Sequence, residues 1–370
     1  MRLEVAPMQE NNATDVQRYV EFIGQSWEQA HEQTAAIAAS LQKPDGFILF
    51  GSGDSHHAAR GLSMLLSQAT NSMVRAIPAM KASRYLFPDF PHAGSRWIAV
   101  GFSVSGEVAR TIEGIELAAA QGLHTIAVTA NPRSTLASRA SSVLSLDPPQ
   151  LKIVPGLAGY AAALVLGAAL GWAYAIPRFR ATINRAMIEL PAALNGWLLD
   201  QMSTAEAFAV EAARGATVIL GSGPAYGSAM FGSAKLIELA GEYAWAQEVE
   251  EWCHLEYFCT GPDMPTILLS SSGRSVSREQ EMRAAAAAIG RQLLISQWDG
   301  ALGWPRVLRE ILSPFALWAA PAGFALRRSA DLGQQPFRGF SGGRSQDEGG
   351  GASRIRSSRR LARDDFQSLA

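Results

Sequence analysis

The sequence predicts an α/β protein of two tandem doubly wound parallel-sheet domains, flavodoxin-like in their connections and flanked by helices. Three observations carry this expectation. Short apolar runs alternate with helix-forming stretches, each run breaks into a Gly/Ser turn, and the arrangement occurs twice.

Up to about Lys43 the chain reads as helix, since SWEQAHEQTAAIAASLQ is amphipathic and rich in alanine. GFILF then breaks into Gly51-Ser52-Gly53-Asp54-Ser55 ahead of helical HHAARGLSMLLSQA. RWIAVGF ends in Ser103-Val104-Ser105-Gly106-Glu107 and enters VARTIEGIELAAAQG, and HTIAVTA runs into Asn131-Pro132 and a further helix. The second copy begins at ATVIL, which runs into Gly221-Ser222-Gly223 and GSAMFGSAKLIELAGEYA. TILLS then ends in Ser270-Ser271-Ser272-Gly273 before SREQEMRAAAAAIG, and QLLISQ supplies a third strand.

The spacing is kept as well. Gly51 and Ser103 are 52 residues apart, Gly221 and Ser270 are 49 apart. Ser103 to His124 is 21 residues and Ser270 to Gln292 is 22. The expected divisions are a helical segment 1–43, domains 44–190 and 191–332, and a Gly/Ser/Arg-rich tail 333–370 with the composition of a disordered basic arm.

Composition narrows the function. The 370 residues are 48% hydrophobic and 18% charged with a net charge of −1, which gives the chain as a whole no affinity for nucleic acid. Lys43, Lys81, Lys152 and Lys235 are the only lysines. Cys253 and Cys259 make no disulfide framework, and the N-terminus has no apolar signal-peptide run, so a cytoplasmic location is expected. From Ile153 to Pro177 there is no charge. That length could span a bilayer, but its Ala and Gly content predicts a helix buried between layers rather than a membrane segment. So apolar a stretch also predicts a homodimer whose interface includes the helix around Tyr160–Tyr174 or surfaces next to it.

A glycine-rich turn between strand and helix exposes backbone N–H groups at the positive end of a helix dipole, where an anion binds. The hydroxyls of Ser52, Ser55, Ser103 and Ser105 add donors without charge, and Gly53 and Gly106 let the backbone approach the ligand. A small phosphate suits these turns better than a dinucleotide, because GSGDSHH lacks the third glycine of that fingerprint. No phosphate-loop lysine follows either turn.

GSGDSHHAA, SVSGEVARTIEGIELAAAQGLHTIAVTANPRSTLASRASSVLSL and AKLIELAGEYAWAQEVEEWCHLEYF resemble the sugar isomerase (SIS) family over about residues 45–300. The similarity extends to the isomerase portion of the glucosamine-6-phosphate synthases. It implies a tandem-SIS homodimer that binds a phosphorylated hexose or hexosamine, with the phosphate on Ser55, Ser103 and Ser105. The sequence departs from the family pattern where Val104 and Val108 replace polar donors and Asp54 stands where threonine is common. A carboxylate there would repel phosphate unless turned away. With no glutaminase domain ahead of the repeat, glutamine-dependent amidotransfer is not expected.

Lys235 and Glu238 are three apart on one helix face, and His254 follows Glu238 by 16 residues. The resemblance implies that the glutamate moves the proton between C1 and C2, the histidine opens the sugar ring and the lysine lines the site. These residue types suit the task. A carboxylate beside a carbon acid serves as base, and histidine gives and takes protons near neutrality. Glu251 and Glu256 remain alternative carboxylates. No cofactor is expected, and because Cys253, His254 and Cys259 lack zinc spacing, neither is a metal. The family's lysine near the C-terminus has no counterpart after Lys235. The expected function is phosphosugar isomerase, or amino-sugar-phosphate deaminase or deglycase. The alternative is a non-catalytic phosphosugar sensor.

Overall fold

The central strands of each sheet are mostly apolar and buried along their whole length, on both faces, as parallel strands require. The computed structural model describes residues 6–90, 96–259, 261 and 263–331, so the tail 333–370 lies outside the described residues. The first half runs α1 (Ala6–Ser40), β1 (Gly46–Gly51), α2 (Asp54–Thr70), β2 (Met73–Pro78), α3 (Ala79–Lys81), β3 (Trp97–Phe102), α4 (Ala109–Ala120), β4 (His124–Thr129), α5 (Thr135–Arg139) and β5 (Ser142–Ser145). Three helices follow, α6 (Leu157–Ala173), α7 (Pro177–Leu194) and α8 (Trp197–Glu211). The second half runs β6 (Thr217–Gly221), α9 (Pro224–Ala240), β7 (Ala244–Gln247), α10 (Val249–His254), β8 (Thr266–Ser270), α11 (Val276–Ala288), β9 (Leu293–Gln297), α12 (Arg306–Leu312) and α13 (Ala319–Asp331).

The first sheet has the order β2-β1-β3-β4-β5 and the second β7-β6-β8-β9, all neighbours parallel. This is the doubly wound α/β class that the sequence predicts. Gly51 pairs with Phe102, and Gly221 with Leu269. That register brings the two turns of each half out side by side at the carboxyl edge, where such folds bind ligands. The expected division at 190/191 falls inside α7.

One continuous core joins the inner faces of both sheets, and α1, α2, α6, α9 and α13 all contribute to it. Separate clusters cover the outer faces. Phe50, Phe87, Trp97 and Ile115 lie on the first sheet's outer side, and Val249, Trp252, Leu268 and Met282 on the second's. Where α2 crosses α9 the backbones touch, for a Cβ at Gly227 would stand 2.5 Å from the Gly61 nitrogen.

The uncharged segment is the buried helix α6, packed between α1 and α2. Its glycines seat its neighbours: a Cβ at Gly167 would meet Leu62 at 2.3 Å, and one at Gly171 would meet Leu65 at 2.5 Å. For the helix itself the expected dimer interface is therefore corrected, because the chain covers Tyr160 and Tyr174 with its own elements, while the adjoining surfaces keep that expectation. Among the described residues no helix is long and apolar enough to cross a membrane.

Candidate active site

Gly51 must be glycine because the first two turns crowd together, a Cβ there standing 2.8 Å from the Phe102 carbonyl oxygen. Gly53 adopts φ 55°, ψ −131°, a region essentially reserved for glycine, and so turns β1 into α2. In the neighbouring turn Ser103 Oγ accepts from the Gly106 N–H at 3.1 Å, and Ser105 Oγ accepts from the Glu107 N–H at 3.3 Å. Gly106 has φ 69°, and any Cβ would strike the Ser134 hydroxyl. The Glu107 carboxylate is drawn away to α5, where the Thr135 N–H and hydroxyl donate to it at 2.9 and 2.8 Å. The two serine hydroxyls are thus held by backbone donors, with no carboxylate bonded to them among the described residues.

Ser55 and Ser103 are buried and share with Val104, Thr129, Gly159 and Ala162 a cavity of about 10 Å³, close to the space one water needs. Ser52 and Gly53 are exposed at the mouth of the turn. Val104 has a packing role in place of a donor, since its methyls rest on Gly159 of α6, where a Cβ would come within 2.5 Å. Val108 opens α4 without a side-chain cap. Ser55 and Ser103 thus line one cavity, Gly106 is tied to Ser103, and Ser105 is bonded to the Glu107 N–H further along the same turn.

Lys235 reaches this region from α9. Its ammonium is fully buried and donates to Asp54 Oδ2, Glu238 Oε2 and the Pro155 carbonyl, each at 2.9 Å. The Nζ stands 4.8 Å from the centre of the Phe231 ring, which stacks on Tyr160 at 4.2 Å. Asp54 belongs to the first serine turn, so its ion pair crosses from one half to the other. Burial alone would push the Asp54 carboxyl up, but the Lys235 charge and the contacts to Lys235 and His57 outweigh it and hold it below its ordinary value. His57 Nδ1 lies 3.7 Å from Asp54 Oδ1. Burial, with the nearby His57 and Arg60, lowers His56 to about 4.

Glu238 keeps 26% of its side chain exposed, whereas Lys235 is fully buried. His254 is placed elsewhere. Its Nε2 pairs with Glu250 at 3.1 Å, and Glu250 also binds Arg278, on a surface where the His254 side chain is 66% exposed. Helix α10 packs on the outer face of the second sheet and α9 on the inner face, so His254 and exposed Glu251 lie across the sheet from Lys235 and Glu238. Glu256 is buried and accepts from Trp245 and Gln247 at 2.9 and 3.1 Å. Among the described residues no three His, Cys, Asp or Glu side chains group so as to hold a metal ion.

Sequence reasoning missed that Asp54 is the partner of Lys235. The signal was there: an aspartate beside an anion-binding turn demands a counter-charge. It could not say which cation would supply it.

Residues 40–175 match the family model of the SIS domain. The isomerizing glutamine–fructose-6-phosphate aminotransferase of Zymomonas mobilis subsp. mobilis is 30% identical over 239 residues, which is 60% of this chain and 38% of that protein. Its counterpart in Bradyrhizobium diazoefficiens is 26% identical over 215 residues, 55% of this chain and 35% of that protein. The chain thus spans little more than a third of the curated relatives it matches. Among solved structures, the C-terminal domain of glucosamine-fructose-6-phosphate aminotransferase from Francisella tularensis has a TM-score of 0.68 at 15% identity, covering 84% of this chain and 96% of that one. Glucosamine-6-phosphate deaminase from Thermotoga maritima has 0.65 at 16%, covering 88% and 97%.

Proposed function

We propose that this chain, whose residues 40–175 match the SIS domain family model, is a phosphosugar isomerase or an amino-sugar-phosphate deaminase or deglycase. One observation carries the reading: the ion pair Lys235–Asp54 ties the serine turns of one half to Glu238 of the other. The sugar phosphate sits on Ser55, Ser103, Ser105 and the backbone about Gly106, with Ser52 and Gly53 at the entrance. The sugar carbons then extend toward Glu238. For an isomerase its carboxylate removes the proton from the carbon beside the carbonyl, leaving an enediolate, and returns it to the former carbonyl carbon, while a second proton passes from the neighbouring hydroxyl oxygen to the former carbonyl oxygen. In a deaminase or deglycase water adds to the imine so formed and ammonia or an amine leaves. Neither route needs an external electron donor or acceptor. Lys235 holds Glu238 in place.

His254 enters this scheme through a second chain. Exposed on the outer face, it can open a sugar ring only in a partner's site, which fits a homodimer working in the cytoplasm. Mixing tests this directly. Glu238→Gln chains and His254→Asn chains, each nearly inactive alone, should recover up to about a quarter of the activity on exchange of subunits. No recovery, or a monomer by light scattering, removes His254 from the mechanism.

The second reading is a phosphosugar sensor, favoured by Val104 and Val108 in place of polar donors. Solvent-deuterium exchange at C1 or C2 of a bound phosphosugar, followed by NMR, decides between the two. Exchange establishes the enzyme, and binding without exchange establishes the sensor.

A further inference from the structure

The first serine turn contains a contradiction in charge. Asp54 opens α2, so its carboxylate occupies the positive end of the helix that would attract a phosphate. It lies between Ser52 and Ser55, and a bound dianion would meet it as a like charge. The cation that answers it comes from the other half of the chain, 181 residues away.

Lys235 cannot answer the ligand as well. An ammonium has three protons, and Asp54, Glu238 and the Pro155 carbonyl take all three. The turn at Pro155-Gly156 roofs the pair: a Cβ on Gly156 would lie 2.1 Å from Asp54 Oδ2 and 3.4 Å from Lys235 Nζ. The Phe231 ring closes another side. Nothing outside the protein can touch Nζ in this arrangement.

We propose that Lys235 is a positioning residue, the buried counter-charge that offsets Asp54 at the turn and so makes the serine turn competent to hold a phosphate, without itself contacting the ligand. The proposal rests on the phosphosugar reading for the identity of the anion. Its electrostatic content stands on the ion pair alone. It also makes the second half a condition for binding in the first, since the serine turn without α9 would carry an uncompensated aspartate.

The test uses the full chain with Asp54→Asn, Lys235→Met and the double variant, and inorganic phosphate as the probe in calorimetry. Lys235→Met should weaken phosphate binding at least tenfold. Adding Asp54→Asn should restore it to within about threefold of the unmutated chain, and Asp54→Asn alone should bind at least as tightly as that chain. A folded double variant that binds as poorly as Lys235→Met overturns the proposal, because the lysine must then touch the anion itself. Should Lys235→Met fail to fold, Asp54→Asn alone decides, and tenfold weaker binding is the adverse result. If the unmutated chain binds neither phosphate nor any phosphosugar, the functional reading fails by itself. Urea midpoints without ligand then judge the ion pair. A double variant more stable than Lys235→Met sustains the counter-charge, and one equally or less stable rejects it.

Discussion

After β1, Gly53 takes φ 55°, ψ −131°, and after β6, Gly223 takes φ 58°, ψ −126°. At this glycine the two turns share one backbone conformation within a few degrees, yet their hydroxyls serve different ends. In the first half Ser103 and Ser105 accept from backbone N–H groups. In the second, Ser222 donates to Glu248, Ser270 and Ser275 donate to Glu279 at 2.5 and 2.6 Å, and Ser272 donates to Asp299. Glu310 accepts from the Arg274 N–H at 3.2 Å and from its guanidinium at 3.0 Å. The second pair of turns has filled its anion-binding donors with the protein's own carboxylates. Where Asp54 and Ser55 open α2, Pro224 and Ala225 open α9, the proline suiting a first helical position. A repeated backbone therefore does not mean a repeated site, because the side chains that reach the turn decide whether an anion finds donors or repulsion.

The largest expected effect tests which half carries the chemistry. Glu238→Gln keeps the shape and removes the base, so turnover should fall on the order of 10²- to 10⁴-fold with phosphosugar affinity little changed. Near-full activity in that variant would move the base to another carboxylate and detach α9 from the reaction.

A paired substitution addresses the turns themselves. Ser103→Ala with Ser105→Ala should weaken phosphosugar binding by about 1–3 kcal/mol, the scale of hydrogen bonds to a charged group. Ser222→Ala with Ser272→Ala should leave it within about twofold, since those hydroxyls face carboxylates. A comparable loss from both pairs in calorimetry would mean that the turns of the two halves bind alike.

The contact between the halves can be broken at Gly227. An added methyl there meets the Gly61 backbone and, at 2.8 Å, the His57 carbonyl oxygen. Neither can move as a side-chain tip can, so Gly227→Ala should cost about 1–3 kcal/mol in urea melts. An unchanged midpoint would show that α2 and α9 tolerate separation.

The smallest effect is in pH. His56 is lowered to about 4 in the folded protein, from an ordinary value near 6.5, so acidification protonates the unfolded chain first. Its contribution to stability is fully present above about pH 6.5 and drains away as pH falls toward 4. His56→Gln should flatten the melting-temperature profile over that window, and a profile identical to the unmutated chain would show that another group governs it.

Much of this was legible in the sequence because its signals are local. GFILF, RWIAVGF and TILLS identify buried parallel strands by continuous apolarity, and the Gly/Ser breaks locate the turns. The absence of charge from Ile153 to Pro177 marks an internal helix, and the three-residue spacing of Lys235 and Glu238 puts them on one face. Strands β2, β5 and β7 escaped notice, because MVRAIP, SVLS and AWAQ are short segments only partly buried and lack that continuous apolar run. The pairing of Asp54 with Lys235, the carboxylates on the second pair of turns and the placing of His254 across a sheet from Glu238 belong to the tertiary structure alone. Composition and periodicity report which face of its own element a residue occupies. Which distant element packs against that face depends on how the two sheets share their inner core, and that is decided only when the helices close over it.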